Sequence, residues 1–200
     1  MKTVVLGTNN PDKLGELKRL LRVSGIKVLS LSDFLKFSEA VEDGKNFIAN
    51  ARKKARWVSL HTKVLTLADD SGLMVFSLQG KPGVYSARFA GPGCSYRDNN
   101  RKLLTLLKMH PASKRAAKFV CAMALYDKGR PVAVVQGECR GHIAHTERGQ
   151  KGFGYDPVFI PTGHTKTFAE FSASQKNQIS HRAKALRAIC PAILKFWGKV

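Results

Sequence analysis

Asp69 and Asp70 stand side by side in Ala68-Asp69-Asp70-Ser71-Gly72-Leu73, directly after the strand-forming run Val64-Leu65-Thr66-Leu67. Adjacent carboxylates repel, and burying either one costs free energy unless a cation compensates. A hard divalent metal with an anionic substrate is one chemistry that does so. A solvated Asp-Asp in a strand-to-strand turn is the other reading, and locally both stand. Carboxylates are scarce here: 14 acidic residues face 34 basic ones, for a net charge of +20. A further acidic cluster, Glu39 to Gly44, contains Glu42.

A second chemical group lies near the N-terminus. Val4-Val5-Leu6 reads as a buried strand that runs into Gly7-Thr8-Asn9-Asn10, and Leu14, Leu17, Leu20 and Leu21 then share one helical face. Asn10 suits the N-cap, Pro11 the first helical position and Gly25 the stop. Free backbone N–H groups and the helix dipole at such a junction attract anions, with Thr8, Asn10 and Lys13 beside them. The spacing is neither a Walker P-loop nor a GxGxxG fingerprint, so a plain strand-to-helix connection stays open.

The remaining elements must position these groups. Ile26–Leu31 reads as a strand, and a helix from about Asn46 to Leu60 puts Phe47, Ala51, Ala55 and Val58 on one face, with Lys53 and Lys54 near its middle. Leu73–Leu78 reads as a separate strand after the Asp pair, and Tyr96–Met109 as a helix. Ala116–Tyr126 and Pro131–Glu138 read as long strands around the hairpin signal Asp127-Lys128-Gly129-Arg130. Gly141–Ala144 extends that sheet, and Val158–Ile160 is a short strand. Phe168–Glu170 forms a turn, and one terminal helix from about Ser174 carries Lys176, Ser180, His181 and Arg182, with Pro191 bending or interrupting it. This order predicts an α/β (mixed α+β) domain with a mixed sheet.

Two hundred residues, 44% of them hydrophobic and 24% charged, suit one soluble domain with a full core. No apolar run has membrane-spanning length, and Met1–Leu6 enters a strand without a signal-peptide layout, so the expected location is cytoplasmic, with no membrane partner. Cys94, Cys121, Cys139 and Cys190 lack ligand or disulfide spacing and read as free thiols. The basic residues are spread along the chain. That favours a basic surface over a nucleic-acid arm, and no specific nucleic-acid partner is expected.

Several motifs occur together: Thr8-Asn9-Asn10-Pro11-Asp12-Lys13 with Glu16, Glu42-Asp43-Gly44, Phe47, Asn50-Ala51, Ala68 to Leu73, Pro82-Gly83-Val84-Tyr85-Ser86-Ala87-Arg88, Gly152-Phe153-Gly154-Tyr155-Asp156-Pro157, Lys176 and Ser180-His181-Arg182. In this order, from about Val4 to Leu194, they resemble the Ham1-like family of inosine/xanthosine triphosphate pyrophosphatases. The resemblance implies hydrolysis of the purine nucleoside triphosphates ITP, dITP and XTP to monophosphate and pyrophosphate, with Mg2+. It also implies one two-lobed domain over residues 1–200, usually a homodimer, with a long twisted mixed sheet, helices on both sides and a central cleft.

The same resemblance assigns roles. Asp70 matches the general base and a metal ligand, Glu42 the second metal carboxylate, and Asp69 supports them. Thr8, Asn9, Asn10, Lys13, Lys54 and Ser71 fall to the substrate, with Lys176 a further positive charge. Phe153 and Gly154 belong to the base pocket, where Phe153 stacks on the purine and Tyr155 shapes the wall. Asp156 accepts from the ring N–H, and Arg182 with His181 donates to the 6-oxo group. Two positions depart from the family pattern: Ala49 replaces a Glu, and Lys151 replaces a Gly. The competing readings are a Maf-like nucleotide pyrophosphatase of other specificity and a basic nucleic-acid-binding protein.

Overall fold

β1, Thr3–Leu6, is fully apolar on its inner positions and lies between two parallel partners, β2 (Lys27–Leu29) and β3 (Thr66–Val75). The computed structural model describes residues 2–21, 25–35 and 37–198; Met1, expected at the entry to β1, lies outside them. Six strands form one sheet in the order β2-β1-β3-β4-β5-β6. β4 (Ala116–Asp127) and β5 (Arg130–Ile143) are joined through Lys128-Gly129, both at positive φ, the two-residue turn whose twist matches a hairpin. β6 (Phe159–Pro161) pairs antiparallel with the end of β5, so the sheet is mixed, as expected.

Between these strands come α1 (Pro11–Leu21), α2 (Phe47–Thr62), α3 (Tyr96–Leu106), α4 (Ala173–Ile179) and α5 (His181–Trp197). The chain divides into two compact units. The first comprises residues 1–70, 121–137 and 183–200, and the second residues 71–120 and 138–182. Each has its own core. In the first, Leu17 and Leu21 of α1 and Ala185, Leu186, Ile189 and Ile193 of α5 pack with Leu6, Leu67 and Met123. In the second, Leu103 of α3 packs with Val75, Phe119, Ile143, Phe159 and Phe168. Burial of such apolar surface is the main favourable term in folding.

Three expectations are corrected. The Asp pair does not end a strand or sit in a turn. β3 runs without a break through Ala68-Asp69-Asp70-Ser71-Gly72-Leu73, and the expected separate strand at Leu73–Leu78 is its end followed by a 3-10 turn at Phe76–Leu78. β3 pairs with β1 only at Thr66 and Leu67, but it continues beside β4 in the sheet, and this neighbour outweighs the turn propensity of Asp, Ser and Gly. The terminal helix is two helices, divided at Ser180, whose ψ of 152° is extended. α5 then continues through Pro191, which does not interrupt it. Ile189 and Ile193, buried on either side of the proline, supply the packing that holds the helix together there.

All four cysteines are free, as expected. Among the described residues no helix is long and apolar enough to cross a membrane.

Candidate active site

In the first unit, β3 delivers Asp69 and Asp70. Successive strand residues point to opposite faces, so the two do not act as a dyad. Asp69 is fully buried. Its Oδ2 lies 3.4 Å from Lys13 Nζ, and its main-chain oxygen accepts from Lys54 Nζ at 3.2 Å. Cys121 on β4 is also near, with Sγ 3.9 Å from Asp69 Oδ2. Asp69 therefore anchors two lysines, a narrower task than general support of the site.

Asp70 is 7% exposed, and its Oδ2 accepts from Asn50 Nδ2 at 2.9 Å. Burial pushes its carboxyl above the usual range. Lys13, the Asn50 bond and Lys54 pull it back, and Glu42 pushes it up again. Lys54 Nζ lies 2.9 Å from Glu42 Oε1. Burial lowers the Lys54 pKa, but Asp69, Glu42 and Asp70 outweigh it, so the ammonium is held charged above its ordinary value. The choice of Lys54 over Lys53 follows from this placement, because Lys53 is exposed and pairs with Asp43.

The loop before α1 departs from expectation in one respect. The amides of Asp12 and Lys13 both donate to Asn10 Oδ1 at 3.0 Å, and the Asn10 amide donates to Thr8 Oγ1 at 3.2 Å. These N–H groups are used in capping α1 and do not face outward for an anion. The Lys13 ammonium is thus the cationic group on this loop, and it faces Asp69. Asn9 donates through Nδ2 to Glu39 Oε1 at 2.5 Å, which ties the loop to the acidic segment.

Glu42 and Asp70 are a donor set of oxygen only, and Glu42 makes ionising Asp70 harder. Among the described residues no group of three His, Cys, Asp or Glu forms an all-protein cage. A hard cation that keeps several waters and takes one or two carboxylates along with substrate phosphates suits these donors. Ala49 adds no oxygen. Its amide donates to Asn46 Oδ1 at 2.8 Å in the cap of α2.

In the second unit, the loop Gly152–Pro157 is built around Asp156. Its Oδ2 accepts from Lys176 Nζ at 2.6 Å and from the Phe153 amide at 3.0 Å. Both side chains of this ion pair are buried, Lys176 at 7% and Asp156 at 3%. Gly152 has a φ of +74°, and a Cβ there would collide with the Asp156 carboxylate. Lys151 is exposed and is not among the described non-glycine residues with positive φ, so the replacement of glycine there brings no backbone strain.

Phe153 has Lys176 Nζ 5.0 Å and the Arg182 guanidinium 5.5 Å from its ring centre, with the Tyr96 ring 6.0 Å away. Arg182 donates from Nη2 to Ser71 Oγ at 2.9 Å. Lys176, expected to add charge for the phosphates, instead stands with the aromatic residues. Tyr155 and His181 are buried core residues. The Tyr155 hydroxyl donates to Ser86 O at 2.9 Å, and burial pushes its pKa far up. His181 stacks on Phe119 with ring centres 4.6 Å apart.

Two residues were given no role from sequence. Asn50 holds Asp70, and Asn100, buried on α3, donates from Nδ2 to Gly154 O at 3.1 Å. The available signal was a polar side chain at the helical spacing of buried apolar ones: Asn50 with Phe47 and Ala51, Asn100 with Leu103.

The sequence model of the Ham1 family matches residues 4–192. The chain belongs to the Ham1 family. It is 43% identical over 199 residues to a dITP/XTP pyrophosphatase from Shouchella clausii, covering 100% of both chains. A dITP/XTP pyrophosphatase from Geobacillus kaustophilus is 47% identical over 186 residues, covering 93% of this chain and 91% of that one. A solved Ham1 protein from Coxiella burnetii superposes with a TM-score of 0.86 at 36% identity, covering 98% of this chain and 100% of that one.

Proposed function

We propose that this Ham1-family chain hydrolyses ITP, dITP and XTP to the monophosphate and pyrophosphate, in the cytoplasm and as a homodimer. The observation that carries the reading is Asp70, a nearly buried carboxylate oriented by Asn50 beside Glu42 and two lysines. Relatives named dITP/XTP pyrophosphatases that match the whole chain support the substrate class.

Asp70 accepts the proton of the attacking water, whose oxygen forms a bond to the α-phosphorus as the bond to the bridging oxygen of pyrophosphate breaks. Lys13 and Lys54, fixed by Asp69, neutralise the triphosphate and the pyrophosphate that leaves. Thr8, Asn9 and Asn10 shape the loop that presents Lys13. Mg2+, held by Glu42 and Asp70, would supply positive charge against the phosphates and acidify nearby water.

The purine stacks on Phe153. Lys176 and Arg182 carry hydrogen-bond donors and no acceptor atoms, so they suit the 6-oxo group of hypoxanthine and xanthine. Adenine would set its 6-amino donor against them and leave buried polar groups unpaired, the kind of mismatch that discriminates strongly. Asp156 acts here by holding Lys176 and the Phe153 amide, a positioning role in place of the direct contact with the ring N–H read from the family pattern. Tyr155, His181 and Gly154 hold the pocket's shape from behind.

Turnover of dITP in heavy-oxygen water tests the bond that breaks. The expected result is one heavy oxygen in the monophosphate and none in pyrophosphate. Label in pyrophosphate, or release of orthophosphate, would contradict the reading.

A further inference from the structure

Asn50 lies on the buried face of α2, 2% exposed, and its amide makes two bonds of opposite sense. Nδ2 donates to Asp70 Oδ2 at 2.9 Å, and Oδ1 accepts from the Gly44 amide at 2.7 Å. Gly44 follows Glu42 by two residues. One side chain thus ties the segment that carries Glu42 to the strand that carries Asp70. Gly44 is part of the same lock. A Cβ there would run into Asn50 Oδ1 and would stand 2.9 Å from Ala49 Cβ and 3.0 Å from Asn50 N, too close for any side chain.

We propose that Asn50 is a positioning residue that holds Glu42 and Asp70 in the register in which they share one divalent cation, with Gly44 as its obligatory neighbour. The proposal rests on the assignment of those two carboxylates made above. Its chemistry is specific to an amide. A carboxylate at position 50 would keep the acceptor for Gly44 but set a second acceptor against Asp70. An apolar side chain would offer neither and would leave the half-buried Gly44 amide without its partner. By engaging Oδ2, Asn50 also fixes the rotation of the Asp70 carboxylate. Residues that orient metal ligands in this way typically change metal affinity or activity about 10- to 100-fold when removed. Ala49, where this chain departs from the family pattern, lies next to Gly44, so the departure borders the lock.

The test uses Asn50→Asp, Gly44→Ala and the double variant, each checked for folding by thermal melting. Two readouts are taken on the folded protein: kcat and KM for dITP with saturating Mg2+, and binding of Mn2+ alone, without nucleotide, followed by water proton relaxation. The expected result is kcat lowered about thirtyfold, KM within about threefold, and Mn2+ bound about tenfold more weakly, in both single variants. The double variant is expected to be no worse than the more damaged single one, because both break the same connection. Folded variants with kcat and Mn2+ binding within about threefold of the unsubstituted protein would overturn the proposal and leave Asn50 a packing residue. Fully additive losses in the double variant would overturn the shared lock. Failure of the unsubstituted protein to cleave dITP would refute the functional reading, and the Mn2+ titration would then decide this proposal by itself.

Discussion

Replacing Asp70 by Asn is expected to lower kcat for dITP by about a thousandfold without unfolding the protein. A positioned general base is worth between about a hundredfold and ten-thousandfold, and Asp70 is also a proposed metal ligand, so the expected loss belongs toward the upper part of that range. The substitution removes charge and basicity but keeps an oxygen that accepts from Asn50, so the local hydrogen bond survives. Stability is expected to hold or rise. The folded carboxyl of Asp70 is shifted upward with burial as the first cause, so its ionised form costs stability at any pH above that raised value. Asn carries no such cost. Steady-state kinetics with excess Mg2+, beside a circular dichroism melt, check both halves. Residual activity above about a tenth would contradict the assignment of Asp70 as base. A collapse of the melt would contradict the account of its environment.

The second large effect is structural. Asp156→Ala is expected to destabilise the protein by about 3 kcal/mol, because it leaves the Lys176 ammonium buried without its counter-charge. It also removes the acceptor for the Phe153 amide, so the loop that carries the purine platform loosens. For a chain of this length, a loss of that size lowers the melting temperature by roughly 10 °C. Replacing Lys176 by Met as well is expected to restore much of the stability, since the unpaired charge goes with it. Purine recognition should stay lost in the double variant, because Lys176 is one of the proposed donors. Thermal melts of the unsubstituted protein and of both variants are the measurement. A shift under about 2 °C for Asp156→Ala would show the pair to be solvated and would remove the reason for assigning it a positioning role.

Much of this was legible in the sequence where local chemistry and packing agree. Asn10 and Pro11 begin α1, Lys128-Gly129 turns the hairpin, and the apolar spacing of Phe47, Ala51, Ala55 and Val58 fixes the inner face of α2. The errors fall where neighbours in space decide. Asp69 to Gly72 has the composition of a turn, yet it continues β3 beside β4 and stays extended. Pro191 has the chemistry of a helix breaker, yet buried Ile189 and Ile193 carry the helix past it. Ser180, not the proline, separates α4 from α5, as its ability to cap the helix that begins at His181 would allow.

The candidate site divides in the same way. Motifs named its residues, but not what each one touches. Asp156 and Lys176 were read as two independent substrate contacts, and they are one buried ion pair. Asp69 reads as a companion of Asp70, and its side chain is the buried partner of Lys13 while its main-chain oxygen holds Lys54. Asn50 and Asn100 carry no charge and the motifs give them no role; their hydrogen bonds to Asp70 and Gly154 do.

The most direct test of the central claim is pyrophosphate release with Mg2+ from dITP and XTP beside dATP, ATP and GTP, expressed as kcat/KM for each. The account predicts that dITP and XTP exceed the adenine nucleotides by at least about a hundredfold, the discrimination expected when buried donors lose their acceptor, and that both also exceed GTP. Equal values for dITP and dATP would contradict it, because Lys176 and Arg182 could then not be reading the 6-oxo group.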